Sequence, residues 1–345
     1  MKIVSLDVHT DASQGVVVTE AGEVVFEAKI ATEREAMRAF VSGVAGPKRV
    51  VFEEGPLSAR LYDWLADVCD EIVSCDPTHN ALIARAEDSN DERDARRLAT
   101  LAQLNAIKPV YIPPEPYRTL RSVLNHDYQA QRRITMAKNR IRGLCRRHGV
   151  RGGRAAYSKG ARAQVIEAMP NAVLKWQMQS LYGELDVLRR ERVGARRVAT
   201  QWCKKPPIAG IIPLLVTIPG IGPITARTLV AWIADPRRFP NRAKIGSYSG
   251  LGLGQGVTDW KPVGRTHASK RGNRQLKRVL FLAAHAASRS HSAFGRLYQA
   301  RLAAGWPESK ANRDLARTIL QTAWALWKKG KPYDDCLVAV PEISR

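Results

Sequence analysis

No stretch of the 345-residue sequence approaches the roughly 18 uninterrupted apolar residues of a membrane-spanning helix, which excludes a helical membrane protein as an expectation. The opening residues, Met1-Lys2-Ile3-Val4-Ser5-Leu6-Asp7, run into a strand pattern broken by an acid, without the longer apolar run and small-residue cleavage site of an export leader. Cysteine is scarce: Cys69, Cys75, Cys145, Cys203 and Cys336 are odd in number, scattered and never spaced Cys-x-x-Cys. That argues against a disulfide framework or a zinc site and fits a reducing cytoplasm. Acid is also in short supply, with 32 Asp+Glu against 55 Lys+Arg and a net charge of +23. A field of that sign attracts polyanions, so nucleic acid is the expected partner.

The length exceeds one core of about 100 to 200 residues, so two or three structural units are expected. Residues 1 to 31 read as three strands: Ile3 to Leu6, Gly15 to Thr19, and Val24 to Ile30 after a turn at Ala21-Gly22-Glu23. A helical pattern follows over Glu33 to Val44, then a strand at Arg49 to Glu53, a helix at Leu57 to Val68, a strand at Glu71 to Cys75 and a helix from about Asp91 to Asn105. This βββαβαβα order is that of the RNase H fold, a mixed α/β sheet, and Pro109, Pro113, Pro114 and Pro116 mark its end. The expected organisation is residues 1–115 for this unit, 116–205 for a basic helical coiled-coil segment, and 206–345 for an all-α C-terminal unit opened by Pro206-Pro207.

Four acids carry the chemistry of the first unit. Asp7 ends the first strand, Glu53 ends the strand Val50-Val51-Phe52, and Asp91 and Asp94 lie three apart on a helix, where i and i+3 share a face. Carboxylates that close stay ionised only with a cation among them, and hard oxygen donors suit Mg²⁺ or Mn²⁺, which can clamp an in-line phosphoryl transfer. A bland reading also exists: Asp7 as a solvent-facing strand end, Asp91 and Asp94 as acids meeting the helix dipole. Asp11, Glu54 and Asp88 are neighbours that compete on register.

The segment Arg118 to Arg162 holds 13 Lys and Arg against one acid, Asp127, a local net of +12. Leu120, Val123, Leu124, Ile134, Ile141 and Leu144 recur at helical spacing, which predicts a long helix presenting Arg132, Arg133, Lys138, Arg140, Arg142, Arg146 and Arg147 to a phosphate backbone. A second long helix, Gln164 to Trp202, is expected to pair with it as an antiparallel coiled coil suited to dimerisation. Further on, Ile218-Pro219-Gly220-Ile221-Gly222-Pro223 followed by Thr225-Ala226-Arg227 fits a helix-hairpin-helix, in which the amides of Gly220 and Gly222 approach a phosphate with no Cβ in the way. Between Lys261 and Arg289 eight basic residues, Lys270, Arg271 and Arg274 among them, meet no acid, a second candidate phosphate surface. Helices are expected at Asn273 to Ser288 and Ser309 to Lys328, with His285 on an apolar face as a core histidine.

These residues together resemble the IS110 family of transposases, in which a RuvC-like domain, a coiled coil and a C-terminal transposase domain follow one another. The family's first-strand Asp resembles Asp7 in Leu6-Asp7-Val8-His9-Thr10, its E-x-G-P resembles Glu53-Glu54-Gly55-Pro56, and its D-x-x-D-A-x-x-L-A resembles Asp91-Glu92-Arg93-Asp94-Ala95-Arg96-Arg97-Leu98-Ala99. Its P-G-I-G and S-K-x-G stretches resemble Pro219 to Gly222 and Ser269-Lys270-Arg271-Gly272. The resemblance implies a bacterial, nucleoid-associated DNA recombinase whose C-terminal serine attacks a phosphodiester covalently while metal on the DEDD carboxylates activates it. It also implies double-stranded DNA as substrate, a structured noncoding guide RNA and a homodimer or homotetramer. Here the nucleophile loop, Gly254-Gln255-Gly256-Val257-Thr258-Asp259-Trp260-Lys261, has no serine; counting back from Ser269, Thr258 takes its place. Ser247, Ser249 and Ser269 are the other candidate hydroxyls. Two further readings stay open: a RuvC-like junction nuclease in which water attacks, and a catalytically inactive nucleic-acid-binding relative.

Overall fold

A computed structural model describes residues 1–83, 90–151, 153–258, 261–268 and 272–340, without the side chains of 81–83, 154–155, 253–258 and 261–268. The chain divides into two compact units, Met1–Pro113 and Pro114–Arg345. Among the described residues no helix is long and apolar enough to cross a membrane.

The first unit is a six-stranded sheet built from β1 (Lys2–Asp7), β2 (Ala12–Val18), β3 (Val24–Ala31), β4 (Lys48–Glu53), β5 (Glu71–Cys75) and β6 (Pro109–Val110), in the order β3-β2-β1-β4-β5-β6. Helices α1 (Arg34–Ser42), α2 (Ser58–Leu65), α3 (Pro77–Ile83) and α4 (Asp91–Gln103) connect them. The first three strands are antiparallel, whereas β1, β4 and β5 run parallel, an arrangement consistent with a RuvC-like sheet. Alternation along the central strands explains the layering. Val4 and Leu6 of β1 and Val50 and Phe52 of β4 pack with Met37, Val41, Leu61 and Leu65 of α1 and α2. Ile3 and Val51, one residue out of phase, pack with Ala95, Leu98, Ala99 and Ala102 of α4. The alanines give α4 a low ridge that lets its backbone approach the sheet closely. The second strand begins three residues earlier than the sequence pattern suggests, because Ser13 and Gln14 are buried; Ser13 shares a hydrogen bond with Thr32 (2.8 Å).

The second unit opens with α5 (Tyr117–Arg147), followed by α6 (Lys159–Glu167) and α7 (Ala172–Trp202). The helix expected to run unbroken from Gln164 is two helices: Pro170 ends the first, and Asn171 caps the second by accepting a hydrogen bond from the Leu174 amide (3.0 Å). Helices α5 and α7, 31 residues each and about 46 Å long, form an antiparallel pair. Its direction follows from the ion pairs, in which Arg133 meets Glu191 (3.4 Å) and Arg140 meets Glu184 (3.1 Å). Ile134, Ala137, Ile141 and Leu144 interlock with Met178, Tyr182, Leu185 and Leu188, each fully buried aliphatic chain contributing about 1.5–3 kcal/mol.

The remaining elements are α8 (Ile211–Val216), α9 (Pro223–Ile233), α10 (Arg242–Tyr248), the hairpin β7 (Leu253–Thr258) and β8 (Lys261–Ala268), then α11 (Arg274–Ala287), α12 (Ala293–Ala303) and α13 (Glu308–Lys329). The glycine-rich stretch is therefore a two-stranded ribbon, with Leu253 opposite Ala268 and Thr258 opposite Lys261. One core joins Tyr117, Leu120 and Leu124 of α5 and Ala199 of α7 to Leu229, Leu280, Ile319 and Leu320, so buried contacts run continuously across residue 206. His285 lies on the exposed face of α11, opposite Leu276, Leu280 and Ala284, and is not a core histidine.

Candidate functional site

Strand parity places the first two acids. Asp7 follows Ile3 and Ser5 on the α4 side of β1, and Glu53 follows Val51 on the α4 side of β4. The parallel register pairs Leu6 with Phe52, so Asp7 and Glu53 are the next residues on adjacent strands. Helix α4 starts beside them, capped by Asn90, whose side chain accepts a hydrogen bond from the Arg93 amide (2.8 Å). Asp91 and Asp94 sit in its first turn, where the helix dipole favours negative charge.

Asp7 and Asp91 converge on His9. The imidazole Nε2 lies 3.2 Å from Asp7 Oδ2 and 3.4 Å from Asp91 Oδ1, and one donor atom from each of the three residues falls within 4.8 Å of the others. The Asp7 carboxyl is pushed above its ordinary value, first by burial and further by the negative charges of Asp91 and Asp94, against which His9 pulls it down. Asp94 is near enough for its charge to reach Asp7, though its Oδ1 accepts a hydrogen bond from Arg97 (3.0 Å). Glu53 lies outside the three-residue cluster. Its Oε1 accepts a hydrogen bond from Asn80 Nδ2 (2.8 Å), which also reaches Cys75 Sγ (3.2 Å). Asn80 is buried, and its Oδ1 has no hydrogen-bond partner.

This donor set fits a divalent cation. One donor atom from each of two carboxylates and an imidazole falls within 4.8 Å of the others, the Asp94 carboxylate is near enough for its charge to reach Asp7, and no lysine or arginine forms an ion pair with Asp7 or Asp91 among the described residues. Sequence reasoning assigned no role to His9 and Asn80. For His9 the available signal was its place two residues after Asp7, the spacing at which strand residues share a side. For Asn80 no motif announced its contact with Glu53.

The basic candidates divide into distinct settings. Arg133 and Arg140 are held by Glu191 and Glu184 across the helical pair, and Lys138 Nζ lies 5.2 Å from the ring centre of Tyr157. Arg132, Arg142, Arg146 and Arg147 are exposed, with no ion pair among the described residues. Arg274 is exposed at the start of α11, whereas Lys270, Arg271 and Ser269 lie outside the described residues.

In the turn before α9 the two glycines differ. Gly220 has φ +87°, and a Cβ there would stand 2.3 Å from the Ala283 carbonyl oxygen of α11, so its missing side chain serves helix packing rather than an approaching phosphate. Gly222 is exposed, has open space around a Cβ and precedes the first turn of α9. Gly272 (φ +98°) meets the backbone of Gly250 in the same way, at 2.4 Å from its nitrogen.

Thr258 is the last residue of β7. Of the other hydroxyls, Ser247 is exposed. Ser249 is buried, donating to the Gly246 carbonyl (2.8 Å), which removes it from any substrate.

Two family models match the chain. A DEDD-type IS110 transposase model covers residues 4–148, and the transposase IS116/IS110/IS902 family model covers residues 212–299. Among curated relatives, an uncharacterised protein of insertion element IS110 from Streptomyces coelicolor is 33% identical over 132 residues, 38% of this chain and 32% of that protein. The chain thus aligns with about a third of that relative's length. A transposase for insertion sequence element IS1111A from Coxiella burnetii is 25% identical over 299 residues, 83% of this chain and 78% of that protein.

Proposed function

The chain belongs to the IS110 family of transposases, and from that premise we propose that it is the DNA transposase of an insertion sequence, cutting and exchanging DNA strands by metal-dependent transesterification. The observation that carries this reading is the convergence of Asp7 and Asp91, with Asp94 close behind, at the end of β1.

In the proposed chemistry Asp7, Glu53, Asp91 and Asp94 hold Mg²⁺ or Mn²⁺. When bound, the ion supplies positive charge that offsets the anionic phosphate and the oxygen leaving it. Asn80 keeps the Glu53 carboxylate oriented, a positioning role that matters because a free side chain would lose rotamer entropy on binding. Thr258 supplies the nucleophile. Its Oγ1 gives up its proton and forms a bond to phosphorus as the bond from phosphorus to the sugar oxygen breaks, and that oxygen takes up a proton in turn, leaving DNA esterified to the protein and a free sugar hydroxyl. The β-methyl of threonine narrows the line of attack relative to serine.

Double-stranded DNA is the substrate in this reading. Arg132, Arg142, Arg146, Arg147 and Arg274 contact its phosphates or those of a structured noncoding guide RNA, Lys270 and Arg271 extend the same surface, and Gly222 offers a helix-hairpin-helix amide. The α5–α7 pair acts as a coiled coil that brings protomers together as a homodimer or homotetramer, since recombination holds two duplexes.

A plasmid recombination assay with the element's flanking DNA tests the proposal. Asp7→Ala is expected to abolish recombinant junctions while leaving DNA binding intact; normal recombination by that variant would refute the acidic site. Trapping a protein–DNA adduct excludes the junction-nuclease alternative, in which water attacks. One observation favours a second reading, a catalytically inactive nucleic-acid-binding relative: threonine stands where the family has serine. Binding without junctions in the unmodified protein would establish it.

A further inference from the structure

We propose that His9 is a nitrogen ligand of the metal held by Asp7 and Asp91, and that it biases the centre towards Mn²⁺ and later divalent transition ions over Mg²⁺. This rests on the metal reading above and adds a residue and a selectivity that the four carboxylates do not contain.

Three observations converge on it. First, His9 stands two residues past Asp7, the last residue of β1, and its ring lies on the side of the chain that carries the Asp7 carboxylate. Second, its ring is 55% exposed, so packing does not fix it; two carboxylates do. A neutral imidazole Nε2–H is one donor and serves one acceptor well. Here Nε2 stands at 3.2 Å from one carboxylate oxygen and 3.4 Å from the other. Neighbouring donors around an octahedral ion with bonds of about 2.1 Å are about 3 Å apart, so both separations are close to the edges of a coordination shell. Third, no lysine or arginine pairs with Asp7 or Asp91 among the described residues, leaving the position between them to a cation.

Selectivity follows from donor chemistry. Mg²⁺ binds oxygen and keeps much of its water, so exchanging a water for imidazole brings it little. Affinity of a mixed nitrogen and oxygen site rises from Mn²⁺ through Fe²⁺ and Co²⁺, and imidazole suits the later ions where carboxylate and water suit Mg²⁺. An Asp-His-Asp centre therefore discriminates between ions that an all-carboxylate centre binds more evenly.

The test uses the full-length protein and Mn²⁺ alone. Electron spin echo spectroscopy of bound Mn²⁺ is expected to show the ¹⁴N coupling of a coordinated imidazole in the unmodified protein and to lose it in His9→Ala. In equilibrium titrations His9→Ala should weaken Mn²⁺ binding by about tenfold or more, the scale on which single groups around a metal act, while Mg²⁺ affinity measured by competition changes much less. His9→Asp, which restores an oxygen ligand, should recover binding without the ¹⁴N signal and shift the preference towards Mg²⁺. Bound Mn²⁺ with no ¹⁴N coupling in the unmodified protein, or equal losses for both ions in His9→Ala, overturns the role of His9 and leaves the carboxylate site standing. No Mn²⁺ binding at all by the unmodified protein overturns both.

Discussion

Replacing Asp7 by asparagine should make the metal-free protein more stable and the metal-loaded protein less so. A carboxylate oxygen of Asp7 lies within 4.8 Å of one from Asp91. At that separation two unit charges repel by about 0.9 kcal/mol in bulk water and by about 3.5 kcal/mol at an effective dielectric constant of 20. With Asp7 26% and Asp91 65% exposed, the wet limit governs, and about 1 kcal/mol is the expected relief. The asparagine oxygen still accepts a hydrogen bond from His9, so that contact survives the exchange. The divalent ion acts in the opposite direction: at a hundredfold excess over its dissociation constant it stabilises the folded state of the unmodified protein by about 2.7 kcal/mol. Urea unfolding at low ionic strength, with EDTA and then with Mn²⁺, reads both effects. Asp7→Asn should unfold at higher urea than the unmodified protein in EDTA and at lower urea in Mn²⁺, and its advantage in EDTA should fade in about 1 M salt, where the Debye length is near 3 Å. A variant no more stable in EDTA would refute the crowding of carboxylates. One stabilised by Mn²⁺ as fully as the unmodified protein would show that the ion binds elsewhere.

Four further outcomes are expected. Gly220→Ala should lower unfolding stability by about 2 kcal/mol or more, since its Cβ meets the Ala283 carbonyl and the residue needs φ +87°; Gly222→Ala, with open space around it, should cost less than about 1 kcal/mol. Arg162 holds the Asp186 carboxyl below its ordinary value through bonds of 2.5 and 2.7 Å, so the pair stabilises the fold above the ordinary carboxylate range near 4 and loses that contribution as pH falls through the depressed folded value; Asp186→Asn should cost about 1 kcal/mol in a denaturant titration at neutral pH and progressively less as the pH falls below about 4. Asn80→Ala should weaken Mn²⁺ binding by about tenfold by releasing Glu53, read by calorimetric titration. Thr258→Ser should retain or increase covalent protein–DNA adduct, and Thr258→Ala should abolish it, as judged on denaturing gels.

Much of the first unit was legible because its core strands obey a period of two with few exceptions. Val4, Leu6, Val50 and Phe52 announce one face, and the acids that end those strands fall on the other by parity alone. The start of β2 was not legible, since Ala12-Ser13-Gln14 reads as polar chain and is buried only because Ser13 finds Thr32. The break between α6 and α7 was hidden by apolar residues that keep helical spacing across it, Val165, Met169, Leu174 and Met178, so the spacing outvoted Pro170. The β7–β8 ribbon escaped because Gly-Gln-Gly carries no alternation; its pairing is a property of backbone. His9 lies past the last ladder residue of β1, where the apolar pattern that marks the strand has ended.

The basic helix shows how a local charge of +12 divides into parts with different consequences. Surface ion pairs such as Arg133–Glu191 and Arg140–Glu184 contribute at most about 1 kcal/mol each, so their role is to favour one alignment of α5 against α7. Asp127 does the same near the other end of the pair, accepting from both Arg192 (3.2 Å) and Arg196 (3.1 Å). Arg146 and Arg147 lie in the last turn of α5, where positive charge is favoured by the helix dipole whether or not a ligand exists. Neither account covers Arg132 and Arg142. Both are exposed and unpaired among the described residues, and Arg142 repels Arg146 one turn on by a few tenths of a kcal/mol. A helix that keeps such charges uncompensated is slightly destabilised in isolation and relieved when a polyanion lies along it. Arg132 and Arg142, rather than the segment's total charge, are therefore the residues whose presence argues for a phosphate backbone.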